Sequence, residues 1–302
     1  MNIEKWLSEN TTNLSDKKIA VTGSTGGLGR ELCTYLAFCG AKLILLDRND
    51  TRSRAHKQSL EQRFKDIQIS CIPLDLESIV SAQKATDALI EQDVDIFIHN
   101  AGAYSIPRHM CDSGYENVFQ INFAAPYYMI RCLLPHLRAK SGRVVVVGSI
   151  AHNYSKINPC DIDFSSYKAA SKVYGNAKRY LMFSLFELFK NETEASLSVT
   201  HPGITFTNIT AHYPKLIFAV IKHPMKLIFP RPKKAALSVL LGVFKSTEYC
   251  EWIGPSLFDV WGYPKFKRLH TCKENERRQI GEIAQQVYSD CLFNNDISFV
   301  SE

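Results

Sequence analysis

Two tyrosines stand four residues before a lysine, Tyr174 before Lys178 and Tyr263 before Lys267. On a helix that spacing puts both side chains on one face. A phenol titrates near pH ~10, so acid–base work near neutrality requires a positive neighbour. Lowering it to about 7 takes on the order of 4 kcal/mol of differential stabilisation. Such a pair can move a proton on or off an alcohol or carbonyl oxygen while a hydride moves at the adjacent carbon. Pro264 follows Tyr263 in a Gly/Pro-containing stretch, which predicts a loop where helical spacing does not apply. In "YKAASK", Tyr167 and Lys172 are five apart, or roughly 140° around a helix at about 100° per residue.

Hydride chemistry needs a carrier, and "AVTGSTGGLGRELC" (residues 20–33) offers a place for one. Four glycines fall between Thr22 and Gly29. Glycine adds backbone entropy cost and no packing, so the cluster implies a group that approaches the backbone closely. Gly23, Ser24, Thr25, Gly27, Leu28 and Gly29 lie between an apolar run and a helical pattern. A turn of this kind presents amides and a helix N-terminus to a pyrophosphate. Asp47 ends the next apolar run, "KLILLD", at the ~20-residue distance expected of a ribose-binding acid. Its carboxylate favours NAD, whereas Arg48 beside it would suit the extra phosphate of NADP. NAD is the expected cofactor, with NADP open.

The elements that would position these groups alternate along the chain. "KIAVTG", "KLILLD", "QISCIPL", "VDIFIHN", "RVVVVGS" and "SLSVTHPG" read as strands, with helical patterns at 29–38, 77–91, 115–138 and 166–189. Several strands are apolar on both faces, which predicts an α/β, doubly wound parallel sheet with helices on both sides. Ligands bind such folds at the carboxyl ends of the strands.

With TGxxxGxG, Asp75, "HNAG" and "INFAAP" in order, followed by "VVVVGS" and "HPGITFT", the chain resembles the short-chain dehydrogenase/reductase family over most of its length. The resemblance implies a single-domain Rossmann fold and an NAD(P)-dependent dehydrogenase acting on CH–OH donors. It implies that Asp75 and Leu76 contact the adenine and that Asn100, Ala101 and Gly102 line the cofactor cleft. Pro202, Gly203, Thr205 and Thr207 would lie near the nicotinamide. His99 stands where the family more often has Asn. "YGNAKRYLMFSLFEL" and "SIAHNYSKINPCDIDF" are similar to the retinol-dehydrogenase-like branch, in which a longer loop separates Ser from Tyr. That selects Tyr174 as proton donor or acceptor and Ser149, 25 residues earlier, as the group orienting the substrate oxygen. Lys178 would lower the tyrosine pKa and bind the nicotinamide ribose, and Asn122 would support a relay water. Ala177 departs from the branch, which usually has Ser before the Lys. The alternatives are an NADP-dependent reductase of a different carbonyl and a nucleotide-sensing protein without turnover, which would not need all four of these residues.

Bulk properties set the remaining expectations. The 302 residues are 45% hydrophobic and 22% charged, with no linker or repeat, which reads as one domain spanning 1–302. A C-terminal helix and tail occupy 272–302. Nine scattered cysteines without Cys-x-x-Cys suit a reducing compartment, and no metal site is expected. The polar N-terminus is not a signal peptide and no apolar run is long enough to span a bilayer, so a cytoplasmic location is expected. Nucleic acid is not an expected partner, because the net charge of +6 comes without a binding motif. Residues 195–247 contain no Asp or Glu but seven bases. Within them, 208–234 is expected to be an apolar lid over a lipophilic alcohol or carbonyl substrate. The lysines of 213–234 would allow peripheral membrane contact. The family resemblance allows a homo-oligomer.

Overall fold

The six apolar runs form strands in the computed structural model, which describes residues 2–203 and 231–300. They are β1 (Lys18–Thr22), β2 (Lys42–Asp47), β3 (Ile69–Pro73), β4 (Ile96–His99), β5 (Arg143–Val147) and β6 (Ser196–Thr200). Helix α1 (Ile3–Asn10) precedes them. The crossovers carry α2 (Gly27–Phe38), α3 (Asp50–Arg63), α4 (Ile79–Glu91) and α5 (Asn117–Phe119), which runs through a π-helical turn, Gln120–Ala124, into α6 (Ala125–Ala139). Then come α7 (Ala170–Leu188), α8 (Pro232–Phe244), β7 (Glu251–Leu257), β8 (Trp261–Arg268) and α9 (Glu274–Val300).

One eight-stranded sheet has the order β3-β2-β1-β4-β5-β6-β7-β8. The first seven strands in that order are parallel, and β8 closes the edge antiparallel to β7. Successive residues of a strand point to opposite faces. Ala20, Val144 and Val146 accordingly enter the core shared with α4, α6, α7 and α9. Ile19, Val21, Val145 and Val147 enter the core shared with α1, α2 and α8. The sheet is thus covered on both faces, as its apolar strands require. Strand order reverses between β1 and β4, and the register pairs Val21 with Ile98, His99 with Val146 and Val147 with Thr200. The residues leaving β1, β4, β5 and β6 therefore emerge along one edge, at the switch point where ligands settle.

Some expectations are corrected. Tyr263 lies in strand β8, not in a loop. Pro264 is accommodated there because it sits in an edge strand opposite Pro255, where its missing donor costs no interior ladder bond. Helix α7 begins at Ala170 and not 166. The residues before it are held in loop conformation by Asp161, which accepts from Ser165 and Ser166, and by Arg108, which donates to the carbonyls of Phe164 and Tyr167. Residues 208–230 of the expected lid lie outside the described residues, as does most of 213–234. The remainder, Pro232 to Lys234, opens helix α8. There Tyr35 donates to the Lys233 carbonyl at 3.1 Å and the Lys234 ammonium lies 4.8 Å from the Tyr263 ring centroid. Among the described residues no helix is long and apolar enough to cross a membrane.

Candidate active site

Ser149 lies two residues beyond β5 and opens a 3-10 turn, Ile150–Tyr154, its hydroxyl accepting from the Ala151 amide at 3.2 Å. Tyr174, in the second turn of α7, lies beside the Ser149 side chain, which favours its ionised form. The next residue, Gly175, explains how helix and turn come so close: a Cβ there would stand 2.4 Å from the Ala151 carbonyl oxygen. One helical turn on, Lys178 is 2% exposed, donates to the Val147 carbonyl at 3.0 Å and places its ammonium 5.7 Å from the Tyr174 ring centroid.

The electrostatics differ from the simple expectation. Burial pushes the Tyr174 phenol up to about 12, opposed by the neighbouring Ser149 side chain. Burial also pushes the Lys178 ammonium down to about 7. The ammonium is turned to a backbone carbonyl, and desolvation of both groups outweighs their mutual attraction.

Asn122 occupies the π-helical turn, where the helix ladder widens. Its amide nitrogen donates to the carbonyls of Ala103 and Val118, both at 2.8 Å, while its buried Oδ1 has no protein partner. A Cβ at Gly102 would come 2.8 Å from that oxygen and 3.7 Å from the Lys178 nitrogen. Asn122, Gly102 and Lys178 therefore lie side by side at the strand ends, near Ser149 and Tyr174. All four expected catalytic side chains are brought together.

The glycine turn is built around backbone contacts. Gly23 adopts φ +65° and a Cβ on it would lie 2.9 Å from the Ala101 Cα; one on Gly29 would lie 2.3 Å from the Gly23 carbonyl. Asn100 donates through its side-chain amide to the carbonyls of Thr22 and Gly23, leaving a buried Oδ1 without a protein partner. Helix α2, beginning at Gly27 and Leu28, has no side-chain cap at its N-terminus, so its first amides remain available to an anion. Asp75 accepts from the Glu77 amide at 3.0 Å and Leu76 is buried beside it. Pro202 is buried and Gly203 has φ +83°, its Cβ position 2.9 Å from the Val260 carbonyl. Thr205 and Thr207 lie outside the described residues.

Asp47 departs from the reading of a free ribose-binding acid. Its carboxylate is 5% exposed and accepts four hydrogen bonds: from the hydroxyl of Ser24 (2.5 Å), the amide and hydroxyl of Thr25 (3.0 and 2.9 Å) and the hydroxyl of Ser53 (3.2 Å). A carboxylate has about four lone-pair sites, and all are in use. Short polar side chains in the glycine turn draw the acid inward. Arg48 points outward, its side chain 70% exposed, with Glu77 3.4 Å away.

Three residues of the site were not singled out from the sequence. Gly175 reads as an ordinary poor helix residue until its neighbour across the turn is known. His152 and Arg179 are buried polar residues around the Ser149 turn; their positions three residues after Ser149 and one after Lys178 were the available signal. Cys132 and His136, one helical turn apart on α6 and so the nearest thing in the sequence to a metal-ligand pair, contact the Tyr288 hydroxyl and the Val94 carbonyl respectively.

With this geometry in place, comparison with known proteins defines the class. The family model described as short chain dehydrogenase matches residues 17–213. The chain belongs to the short-chain dehydrogenase family. The short-chain dehydrogenase TIC 32 A, chloroplastic, of Brassica napus is 27% identical over 223 residues, covering 68% of this chain and 70% of that protein. Retinol dehydrogenase 14 of Mus musculus is 28% identical over 211 residues, 65% of this chain and 63% of that one, in accord with the branch resemblance. Among solved structures, an uncharacterized protein from Mycobacterium paratuberculosis superposes with a TM-score of 0.71 at 19% identity, covering 96% and 97% of the two chains. A short-chain dehydrogenase from Sphingobium yanoikuyae, solved with NADPH, gives a TM-score of 0.57 at 19% identity over 75% and 84%.

Proposed function

We propose that the protein is a nicotinamide-dinucleotide-dependent oxidoreductase interconverting an apolar alcohol and its carbonyl. The observation that carries this reading is Tyr174 beside Ser149 with Lys178 one turn below, set at the strand ends beside an uncapped helix N-terminus. The residues fit the cofactor: glycines leave room where a Cβ would clash, and the orphaned oxygens of Asn100 and Asn122 face bonding opportunities that the protein itself does not fill. Gly23, Gly27, Leu28 and Gly29 would hold the pyrophosphate, Asp75 and Leu76 the adenine, Lys178 and Asn100 the nicotinamide ribose. Ala101, Gly102, Pro202 and Gly203 would flank the nicotinamide, with Thr205 and Thr207 following.

When bound, the nicotinamide supplies the two-electron donor or acceptor. Ser149 and Tyr174 bracket the substrate oxygen, and Tyr174 gives or takes the proton there. Lys178, one turn below, would bind the nicotinamide ribose and supply positive charge near Tyr174 only while it stays protonated, and Asn122 Oδ1 would accept from a water that leads the proton away. Buried Val118, Phe164 and Val173, with Ile106 packed against them, adjoin Tyr174, and the Tyr104 ring meets the Tyr174 ring edge-on at 5.4 Å. This apolar surrounding of Tyr174 supports a lipophilic substrate over a short polar one.

Solved neighbours bind either cofactor: the Sphingobium enzyme was solved with NADPH and one from Burkholderia phymatum with NAD. The saturated Asp47 and outward Arg48 favour NADP as a second reading beside NAD. The test is absorbance near ~340 nm, where reduced nicotinamide absorbs, over a panel of alcohols and ketones with each cofactor. Turnover that improves with apolar size is expected. Cofactor binding without turnover of any panel member would overturn the enzyme reading in favour of a nucleotide sensor.

A further inference from the structure

The turn that carries Ser149 is not held by its own strand and helix alone. His152, fully buried in that turn, bonds the Ser149 carbonyl oxygen through Nδ1 at 2.7 Å and meets the Thr271 hydroxyl through Nε2 at 2.8 Å. A carbonyl only accepts, so Nδ1 carries the proton and the Thr271 hydroxyl donates to Nε2 of the neutral ring. Trp252 and Phe183 hold the ring edge-on at 5.6 and 5.8 Å. Arg179, buried on α7, locks the same parts from the other side. It donates to the His152 carbonyl (3.1 Å), to the Thr271 carbonyl (2.8 Å) and through two nitrogens to the Glu276 carboxylate (both 2.7 Å). Thr271 and Glu276 lie beyond residue 213, where the family match ends.

We infer that the C-terminal segment around Thr271 and Glu276 acts as a scaffold of the active site, with His152 as the positioning residue that transmits it to Ser149. This rests on the reading of Ser149 as the group that orients the substrate oxygen. The segment does not touch reacting atoms. It sets the carbonyl of residue 149 and hence where the Ser149 hydroxyl stands relative to Tyr174. A shift of about 1 Å in such a group can cost on the order of 100-fold in rate.

The two ring nitrogens can be separated by substitution. Asparagine at 152 places an amide nitrogen where Nδ1 lies and keeps the Ser149 bond; glutamine reaches where Nε2 lies and keeps only the Thr271 bond. The full chain is made as wild type, His152→Asn, His152→Gln and Thr271→Val. Each is measured for hydrogen exchange of the amides of 150–154, for kcat on the best panel substrate and for nicotinamide-dinucleotide affinity by protein fluorescence. His152→Asn should stay within about threefold of wild type in exchange and kcat, while His152→Gln exchanges about tenfold faster and loses about 10- to 100-fold in kcat, with cofactor affinity unchanged. Thr271→Val, nearly the same size and 119 residues away from His152, should also speed exchange in the turn, and it serves if the His152 variants do not fold. Equal behaviour of Asn and Gln, or an unchanged turn in Thr271→Val, overturns the inference. If wild type turns over nothing while the exchange pattern holds, the proposed function fails and the scaffold stands. An active wild type without the exchange pattern sinks the scaffold alone.

Discussion

Replacing Gly175 with alanine isolates the approach of α7 to the serine turn. Local helix propensity favours the change by up to ~1 kcal/mol. The new methyl, however, would stand 2.4 Å from the Ala151 carbonyl oxygen, against about 3.4 Å for ordinary contact. Helix and turn must separate by about 1 Å, and the carbonyl belongs to backbone that cannot swing aside. Overpacking of this kind costs ~1–3 kcal/mol, so the net loss should be ~0–2 kcal/mol, a fall in Tm of a few degrees at most. Catalysis should suffer far more than stability. Tyr174 precedes the new methyl and Ser149 sits two residues before the carbonyl it strikes, so the separation draws the two side chains apart and should cost roughly 100-fold in kcat. Cofactor affinity, which the proposed function places mainly at the glycine turn, should stay within about threefold of wild type. Thermal unfolding, fluorescence titration with the dinucleotide and absorbance kinetics read the three quantities separately. A Gly175→Ala enzyme with kcat within threefold of wild type would refute the claim that this contact sets the Ser149–Tyr174 geometry.

Other perturbations follow from the same structure. Tyr174→Phe should abolish turnover while leaving fold and cofactor binding intact, since only the proposed proton-transfer group is lost; near-normal kcat would show that another group does the chemistry. Lys178→Met should remove activity yet raise the Tm of the ligand-free protein at pH 7 and below. The folded ammonium is depressed to about 7 by burial, so its penalty is full below that pH and fades only as pH rises toward ~10.4; an unchanged or lower Tm would contradict the cost assigned to burying it. Asp47→Ala should loosen the glycine turn and weaken NAD and NADP binding alike, because it removes four bonds to Ser24, Thr25 and Ser53, whereas a selective gain for NADP would restore the simple role of a ribose-binding acid. His56, His152 and His201 are each held down to about 4, chiefly by burial. Above their unfolded value of ~6.5 they are neutral in both states, and between ~6.5 and ~4 the unfolded chain takes up protons that the fold excludes. Stability should therefore fall with pH across that window by up to ~1.4 kcal/mol per unit for each histidine, and urea midpoints that stay flat from pH 7 to 5 would rule this out.

The sequence alone determined the sheet and its ligand edge, because burial on both faces leaves continuous apolar runs and tight turns leave glycines, and both are local in the chain. The six strands, the glycine turn and Asn122, Ser149, Tyr174 and Lys178 were legible on that basis and through family resemblance. Tertiary structure decided what depends on a partner distant in sequence. Tyr263 became a strand residue because an edge beside β7 tolerates Pro264. The direction in which Asp47 points was settled by hydroxyls at 24, 25 and 53. The depressed ammonium of Lys178 came from how deeply α7 is buried, and its tie to Val147 from where β5 ends. His152, Arg179 and Gly175 carry no periodic signal at all, since their roles arise only where the serine turn, α7 and the C-terminal segment meet in space.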